Sequence, residues 1–305
     1  MQDLPGSLKR MKINKSKIII HSLRVLSWIP LPVIHGLGSI IGSLIYWLPN
    51  NIRRVAFINL KLCLPELSVK ERKHLLRQSL IESSKTVLEM GAMWFWPIER
   101  LNRLDKGIQG LEVWQEAYQQ GNGVIALTPH IGQWEFLGLF SQKYVPMTSL
   151  YRPPKLAGFD EFLTNARKRT GNTLAPTTPF GVRMLYGSLK KGNMAGILPD
   201  QDPGNGGVFA PFFGIQANTM TLITKLAERT HSPVIIAYAE RLPRGRGYIT
   251  HIHAVDSGGI LNKDPVIAAG ALNKAVEKCV RENPAQYQWL YKRFKKRPKG
   301  EDKLY

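Results

Sequence analysis

After Gly107, short apolar runs alternate with amphipathic stretches along most of the remaining chain. The apolar runs cover residues 124–127, 145–151, 194–199, 233–239 and 248–253, and the amphipathic stretches cover residues 135–143, 159–170, 181–191 and 218–230. Short apolar runs are typical of buried strands, and their alternation with helices is typical of a parallel sheet. The pattern therefore predicts an α/β fold in which helices flank a largely parallel central sheet.

A second constraint is an uncharged stretch near the N-terminus, since residues 25–48 contain no Asp, Glu, Lys or Arg. At a rise of about 1.5 Å per residue, a helix of this length crosses a hydrocarbon core of about 30 Å. We therefore predict an N-terminal membrane-anchor helix, followed by a helical segment. Pro30, Pro32 and His35 interrupt the stretch. The alternatives are therefore a shorter helix that begins at about Val33, a helix that lies partly in the membrane interface, and a helix buried in the protein core.

The same patterns predict how the chain is divided. Residues 1–50 form a basic N-terminus with the anchor, and residues 51–305 form a second domain. Within the second domain we predict a helical entry at 51–105, an α/β core at 106–290 and a basic tail at 291–305. Ser68, followed three residues later by Glu71, is a capping box that predicts the start of a helix in the entry segment.

The charge of the chain predicts an anionic partner. The sequence has 42 Lys and Arg against 22 Asp and Glu, which gives a net charge of +20. Nucleic acid, an anionic membrane surface and an acidic protein or substrate are the three classes of partner that fit. Basic residues on both sides of the uncharged stretch favour lipid headgroups. A second basic cluster, at 292–299, fits an RNA site, a membrane interface or a solvated tail.

His130 and Glu135 follow the apolar run at 124–127, which Pro129 ends. On one helix, side chains five residues apart do not share a face. The pair can meet only if His130 lies in a loop and Glu135 lies in the first turn of the next helix. The carboxylate would then accept a proton from one ring nitrogen and leave the other nitrogen free as a general base. A polar loop histidine and an exposed glutamate at a helix start are the alternative interpretation.

The ends of later apolar runs carry further polar residues. Arg152 precedes two prolines, which suits it to hold a phosphate or carboxylate. Arg167 lies in a basic helical stretch that fits either an anion site or a solvated face. Asp200 and Asp202 flank Gln201, and this loop offers too few ligands for a metal site, so we predict none.

Several motifs of known nucleophile, phosphate-binding and metal-binding sites are absent from the sequence. There is no G-x-S-x-G, no G-x-x-x-x-G-K-[ST], no H-E-x-x-H and no C-x-x-C. Serine hydrolases, nucleotide phosphatases and standard metalloproteases therefore lose support. A base without a protein nucleophile beside it indicates that the nucleophile belongs to the substrate.

The order of these motifs resembles a known family. His130-x4-Glu135, Tyr151-Arg152-Pro153, Leu198-Pro199-Asp200 and Ser232-Pro233-Val-Ile235 resemble, in that order, the four blocks of the lysophospholipid and glycerolipid acyltransferase superfamily. The details are similar to its lipid A late acyltransferase branch, which contains lauroyl and myristoyl transferases. The resemblance covers roughly residues 20–290. One block departs from the superfamily, whose usual Pro-Glu-Gly is replaced by Pro-Asp-Gln at 199–201.

The resemblance implies transfer of a fatty acyl chain from acyl carrier protein to a hydroxyl of a lipid A precursor, without a covalent acyl-enzyme. His130 is then the general base and Glu135 its orienting partner. Arg152 is implied to bind the acceptor phosphate and Arg167 to contact the substrate or the oxyanion. Asp200 is implied to hold one of those arginines, and Gln201 is placed with the substrate-binding residues.

The same resemblance implies no cofactor other than acyl carrier protein loaded with the acyl donor. Its implied partners are acyl carrier protein, the lipid A precursor and an anionic membrane surface, with no nucleic acid. Its implied location is the bacterial inner membrane, with the catalytic domain on the cytoplasmic side. Two other functions stay open: the same chemistry on a lysophospholipid or glycolipid, and a non-catalytic basic module that binds nucleic acid or anionic lipid.

Overall fold

The computed structural model describes residues 15–140, 144–154, 156 and 158–305. The helices are α1 Lys15–Ser27, α2 Leu31–Trp47, α3 Asn51–Cys63, α4 Val69–Phe95, α5 Ile98–Asn102, α6 Leu111–Gln119, α7 Trp134–Phe140, α8 Phe159–Lys168, α9 Pro179–Lys190, α10 Leu222–Thr230, α11 Ser257–Ile260 and α12 Pro265–Glu282. The strands are β1 Asp105–Gln109, β2 Val124–Leu127, β3 Met147–Tyr151, β4 Thr173–Pro176, β5 Met194–Ile197, β6 Gly207–Phe212, β7 Ile215–Met220, β8 Val234–Arg241 and β9 Tyr248–Ala254.

The central sheet has seven strands in the order β1-β9-β8-β2-β5-β3-β4. Strands β8, β2, β5, β3 and β4 are mutually parallel, whereas β9 runs antiparallel to β8 and pairs in parallel with β1. The predicted α/β fold with a largely parallel sheet is therefore confirmed. β2 and β5 are buried at every position, as expected for strands covered by helices on both faces.

The segment after β5 forms a separate two-stranded element. In the glycine-bounded aromatic segment 206–214 and the residues that follow it, β6 and β7 form an antiparallel hairpin. Phe213, at a φ of 51°, and Gly214, at a φ of 78°, form its two-residue turn. A turn with two positive φ angles matches the twist of a two-stranded ribbon.

The uncharged stretch 25–48 is divided between two helices. α1 ends at Ser27, Pro30 occupies the N-cap of α2, and α2 begins at Leu31. Proline fixes its own φ and disfavours a helical residue before it, which explains the break. Among the described residues, no single helix has the length and apolar character of a membrane span. By length and composition, α2 and α3 meet that test only as a pair, with a bend of 82° between them.

α2 packs closely against α4 along one side. A Cβ atom on Gly38 would lie 2.7 Å from Lys85 Cγ, and one on Gly42 would lie 2.4 Å from Ile81 Cα. The two glycines are four residues apart and share a face, so they let the helix axes approach. The opposite side of α2 stays exposed, and 72% of the Trp47 surface is accessible to solvent. The helix of the predicted anchor thus has one side that packs in the protein core and an opposite side that exposes apolar side chains.

The basic C-terminal tail is partly integrated into the fold. Arg293 is buried, and its guanidinium donates to the Asn218 carbonyl at 2.7 Å and to Thr219 Oγ1 at 2.8 Å. Lys296 donates from Nζ to the Gly204 carbonyl at 2.5 Å. Part of the cluster at 292–299 therefore fixes the β6–β7 hairpin and the loop before it.

Candidate active site

The site lies beyond the carboxyl ends of β2 and β5, two neighbouring parallel strands. Leu127 of β2 pairs with Ile197 of β5. His130 and Asp200 each follow their paired residue by three positions, so the two loops bring them together. Carboxyl ends of parallel strands are the usual position of active residues in α/β folds.

Asp200 holds His130 through two hydrogen bonds. The His130 backbone N–H donates to Asp200 Oδ2 at 3.0 Å, and the ring Nδ1 lies 2.8 Å from Asp200 Oδ1. Asp200 is 3% exposed, so water competes little for this carboxylate. Because a carboxylate only accepts hydrogen bonds, Nδ1 carries the proton and Nε2 keeps its lone pair.

The structure corrects two predictions about the contacts of His130, Glu135 and Asp200. His130 lies in a loop and Glu135 lies in the first turn of α7, as predicted. However, Asp200 holds the ring nitrogen assigned to Glu135, and it does not take the predicted role of holding an arginine. The reason is topological, since parallel neighbours place Asp200 against the His130 loop, whereas α7 carries Glu135 toward α8.

The charge of Asp200 is stabilised by His130. Burial disfavours ionisation of this carboxyl, but the interaction with His130 and the two hydrogen bonds outweigh burial. The pKa of Asp200 consequently lies below its ordinary value. The ionised carboxylate can therefore stabilise an imidazolium on His130.

The other ring nitrogen faces polar groups. Gln201 Nε2 lies 3.2 Å from His130 Nε2 and donates to Gln288 Oε1 at 3.0 Å. The Gln288 backbone N–H donates to the His130 carbonyl at 3.1 Å. The ring edge of Trp134 also contacts the imidazole, with centroids 4.9 Å apart. The sequence predicts Gln201 as a residue of the site. Nothing in the local sequence marks Gln288 or Trp134 as site residues.

Glu135, which is buried, forms an ion pair with the partly exposed Arg167. Arg167 Nε donates to Glu135 Oε2 at 3.1 Å, its Nη2 donates to Oε1, and the Trp94 indole donates to Oε2 at 3.0 Å. Burial opposes ionisation of Glu135, but Arg167 outweighs burial and lowers the pKa of the carboxyl. Burial likewise opposes the charge of Arg167, and Glu135 raises the guanidinium pKa above its ordinary value. Both groups are therefore charged at neutral pH.

These residues surround one cavity of about 880 Å³. His130, Glu135, Arg152, Arg167 and Gln201 all line it, and Asp200 lies behind the His130 ring. Arg152 is exposed at the cavity and donates from Nη2 to the Pro203 carbonyl at 3.0 Å. A cavity of this size accommodates a large ligand. The structure thus brings all six predicted site residues into one region.

A buried hydrogen-bond network fixes the loop that carries His130. The Gly132 carbonyl accepts hydrogen bonds from Thr86 Oγ1 at 3.1 Å and from Arg241 Nη2 at 3.3 Å. The Gln133 side chain donates to Glu89 at 2.9 Å. Gly132 has a φ of 61°, and a Cβ atom there would lie 1.9 Å from the Ala239 carbonyl oxygen. Only glycine fits this position.

Glu89 is the centre of that network. It accepts hydrogen bonds from Arg241 Nε and Nη2, both at 2.8 Å, and it lies 2.6 Å from His35 Nε2. Burial opposes ionisation of Glu89, but Arg241 and His35 outweigh it and lower the pKa of the carboxyl to about 2. The network connects α2, α4 and β8 to the loop that carries His130. The sequence does not predict it, because Glu89 lies 54 residues from His35, 44 residues from Gln133 and 152 residues from Arg241.

The described residues contain no cluster of side chains that could bind a metal ion. Within the described ranges, no group of three or more His, Cys, Asp or Glu side chains is arranged to hold a metal ion. The residues beside His130 instead combine a base, an anionic partner and a cationic side chain that faces the cavity. This set suits proton removal from a hydroxyl and stabilisation of a developing oxyanion.

The comparisons with known proteins agree with the resemblance seen in the motifs. Residues 7–296 match the family described as bacterial lipid A biosynthesis acyltransferase. A lipid A biosynthesis palmitoleoyltransferase of Escherichia coli (strain K12) is 30% identical over 279 residues, which cover 91% of this chain and 90% of that protein. A lipid A biosynthesis lauroyltransferase of the same organism is 30% identical over 274 residues, which cover 89% of this chain and 88% of that protein. Its myristoyltransferase is 27% identical over 278 residues and covers 90% and 83%. Because the family match spans nearly the whole chain, this protein belongs to the bacterial lipid A biosynthesis acyltransferases.

Proposed function

We propose that the protein transfers a fatty acyl chain from the thioester of acyl carrier protein to a hydroxyl of a lipid A precursor, as a late acylation. The observation that carries the proposal is the position of His130. Asp200 binds its Nδ1, which leaves Nε2 as the nitrogen available to a substrate, and His130 lines a cavity of about 880 Å³. This geometry supports a general base for a substrate hydroxyl.

In the proposed reaction, His130 Nε2 takes the proton of the acceptor hydroxyl as its oxygen attacks the thioester carbonyl carbon. The C–S bond then breaks, the new ester remains on the lipid, and the proton on Nε2 moves to the departing thiolate. Asp200 stabilises the imidazolium between the two proton transfers. A positioned base contributes about 10²- to 10⁴-fold to the rate. No acyl-enzyme forms, because the substrate supplies the nucleophile.

Arg167 is proposed to stabilise the oxyanion that forms on the thioester carbonyl. Glu135 fixes its guanidinium, and Trp94 donates to Glu135 in turn, while Arg167 lines the same cavity as His130. A donor that is already oriented needs no reorganisation as the negative charge develops. In this proposal Glu135 positions Arg167, and Arg152 binds a phosphate of the acceptor.

The net charge and one exposed apolar face support the proposed partners. The chain carries a net charge of +20, which would attract acidic acyl carrier protein and anionic lipid headgroups. Trp28, Val33, Ile40, Leu44 and Trp47 are exposed apolar side chains around α1 and α2. We propose that this face lies in the interface of the bacterial inner membrane, with the catalytic domain on the cytoplasmic side.

The proposal is tested with purified protein, acyl carrier proteins loaded with defined acyl chains, and lipid A precursors, with products read by mass spectrometry. We expect the wild-type protein to add one acyl mass to the precursor. His130→Ala should reduce the rate by at least about 10²-fold, because the base is lost.

The matched control is His74→Ala, which removes an exposed histidine on α4. It should retain the wild-type rate. Near-normal transfer by His130→Ala would rule out the proposed base. Absence of transfer to lipid A precursors, together with transfer to a lysophospholipid, would rule out the proposed acceptor.

A further inference from the structure

The basic segment at 292–299 contacts the loop between β5 and β6, which borders the entrance of the active-site cavity. Within this loop, Asn205 and Gly206 line the cavity and are also exposed, which places them at its entrance. Lys296 Nζ donates to the carbonyl of the preceding residue, Gly204, at 2.5 Å. The basic segment is therefore attached to the edge of the cavity.

A second set of contacts joins the same loop to the basic segment. Lys295 Nζ lies 3.6 Å from Asp202 Oδ2, and the Tyr291 hydroxyl accepts a hydrogen bond from the Asp202 backbone N–H at 3.1 Å. The Asp202 side chain is buried, whereas 45% of the Lys295 side chain is exposed. Lys296 donates to a neutral carbonyl, so this contact leaves its charge uncompensated.

The exposed charge of this segment has a single sign. Residues 283–300 contain no Asp or Glu. Arg293 is buried and fixes the β6–β7 hairpin, but four lysines of the segment are exposed. We call these four residues the basic rim, and they are Lys292, Lys295, Lys296 and Lys299. A surface patch of one sign attracts molecules of the opposite charge.

The ligand of the basic rim lies outside the cavity. Arg152 lines the cavity and donates to the Pro203 carbonyl at 3.0 Å, so a substrate inside can reach its guanidinium. The four lysines, in contrast, are not among the described residues that line the cavity. An anion bound wholly within the cavity therefore leaves the rim free. The rim fits a larger anionic partner that stays outside while part of it enters.

The surroundings of the rim favour an acidic protein over a bilayer. No large apolar side chain of residues 285–305 is exposed. Trp289 and Phe294 are buried, and Leu304 and Tyr305 pack against the core. A segment that inserts into a membrane interface needs exposed apolar side chains, as on α2, whereas recognition of a protein surface can proceed through complementary charge.

We propose that the basic rim is the docking surface for acyl carrier protein, and that the docked protein delivers its thioester into the cavity across the loop between β5 and β6. The inference rests on the proposed acyl transfer, which makes this acidic protein the acyl donor. Complementary charge raises association rates by about 10- to 10³-fold. Arg152, inside the cavity, remains available to the acceptor.

The test compares wild type with three double variants: Lys295→Glu/Lys296→Glu, Lys295→Arg/Lys296→Arg and Lys190→Glu/Lys191→Glu. The last is the matched control, because Lys190 and Lys191 are also adjacent, exposed lysines and reverse the same amount of charge. They lie at the end of α9, just before the amino end of β5, whereas the cavity lies beyond the carboxyl end of that strand.

Each variant is assayed with one acyl chain on two donors, acyl carrier protein and the small uncharged thiol N-acetylcysteamine. We expect Lys295→Glu/Lys296→Glu to raise the KM of the carrier-protein donor by at least about tenfold, because attraction becomes repulsion. The kcat of this donor and both constants of the small donor should stay nearly unchanged. The arginine variant and the Lys190→Glu/Lys191→Glu control should behave as wild type.

The salt dependence provides a second readout. Added salt should raise the wild-type KM of the carrier-protein donor, and it should not raise this KM in Lys295→Glu/Lys296→Glu. Equal losses toward both donors would overturn the proposal, because the lysines would then only support the cavity wall. Unchanged KM values would also overturn it. Weaker binding to anionic vesicles at an unchanged KM would assign the rim to lipid instead.

Calorimetric binding of unacylated carrier protein separates this inference from the proposed function, because it requires no acyl transfer. An inactive wild type that binds the carrier protein, and loses that binding in Lys295→Glu/Lys296→Glu, would contradict the acyl transfer and support the docking surface. An active wild type whose carrier-protein binding and KM are unaffected by this variant would do the reverse.

Discussion

At the scale of single residues, the two oxygens of Asp200 have different partners. One accepts the His130 backbone N–H, which fixes the loop, and the other accepts the ring N–H, which fixes the tautomer. Both partners are donors, so the position requires two acceptors. Only an ionised carboxylate of this length meets that requirement.

We predict that Asp200→Asn reduces kcat by about 10²-fold or more and leaves the KM of the acyl donor nearly unchanged. An amide offers one acceptor and one NH₂ group, so either the backbone bond or the ring bond is lost. When the amide donates to Nδ1, the ring proton moves to Nε2 and the base is gone. Steady-state kinetics and the ¹⁵N chemical shifts of the His130 ring check both effects.

A merely structural role for Asp200 would lower the melting temperature without changing the ring tautomer. Retention of the Nδ1-protonated ring together with a normal kcat in Asp200→Asn would refute the assignment. Asp302→Asn, at an exposed position near the C-terminus, makes the same side-chain change outside the cavity. It should behave as wild type in both measurements.

The positions of His130 and Asp200 at strand ends were predictable, but their pairing was not. The sequence marks both as polar residues that follow apolar runs, and it marks Glu135 as the carboxylate nearest along the chain. Which strands lie side by side is a property of the sheet order, and local patterns do not encode it. The predicted pairing therefore favoured the local partner over the one across the sheet.

At the scale of elements, α2 and α4 form a unit with the strand that carries Arg241. Five side chains meet at this junction, and they are His35, Glu82, Thr86, Glu89 and Arg241. The charges of Glu89 and Arg241 are buried there. Removing one member of a buried pair leaves an uncompensated charge, which costs about 3–5 kcal/mol. Arg241 also pairs with the partly exposed Glu82 at 3.0 Å, but Glu89 is the fully buried carboxylate of the junction.

We predict that Glu89→Gln lowers the free energy of unfolding at pH 7 by about 3 kcal/mol. The pKa of Glu89 falls from an ordinary 4.5 to about 2 in the folded protein. Its contribution is therefore complete above pH 4.5 and is lost as the pH falls toward 2. Urea unfolding at a series of pH values should show a smaller acid dependence in Glu89→Gln than in wild type.

The control for this prediction is Glu66→Gln. Glu66 and Arg281 form an ion pair that is about half exposed on both sides. Loss of an exposed pair costs about 0–1 kcal/mol. Equal losses of stability in the two variants would contradict the special role of the buried network.

The sequence predicted several of these elements and their limits. The capping box at Ser68 and Glu71 is present, and α4 begins at Val69 as expected. The break in the uncharged stretch follows from Pro30, but the side of α2 that faces α4 does not follow from hydropathy, because the stretch is apolar all round. Gly38, Gly42 and His35 select that side through close approach and through the bond to Glu89. A pattern of apolar residues alone contains no such information.

At the scale of the whole molecule, positive charge and exposed apolar surface occur together near the N-terminus. Ile40 and Leu44 keep 59% and 54% of their surface exposed on α2. Lys15 and Lys17 begin α1. Apolar side chains beside basic residues are the features by which a helix binds at the surface of an anionic bilayer.

We predict that the protein binds vesicles containing anionic phospholipid and that Ile40→Glu weakens this binding by at least about tenfold. A carboxylate on the apolar face must leave water to enter the lipid, which opposes insertion. Vesicle sedimentation measures the effect, and added salt should weaken the binding of wild type. Ile267→Glu, on the exposed side of α12, should bind as wild type does. Equal binding by Ile40→Glu and Ile267→Glu would refute the proposed membrane face.

The bond between His35 and Glu89 changes how shortened forms of this protein must be interpreted. A protein that starts after Leu48 would be a natural choice for improving solubility. It would also leave Glu89 without one partner and uncover the side of α4 that packs on Gly38 and Gly42. Glu89, Arg241 and Thr86 hold the loop of His130, so the shortened protein would lose activity even toward substrates dispersed in detergent. Its inactivity would then report a misplaced base, and not a missing attachment to the membrane.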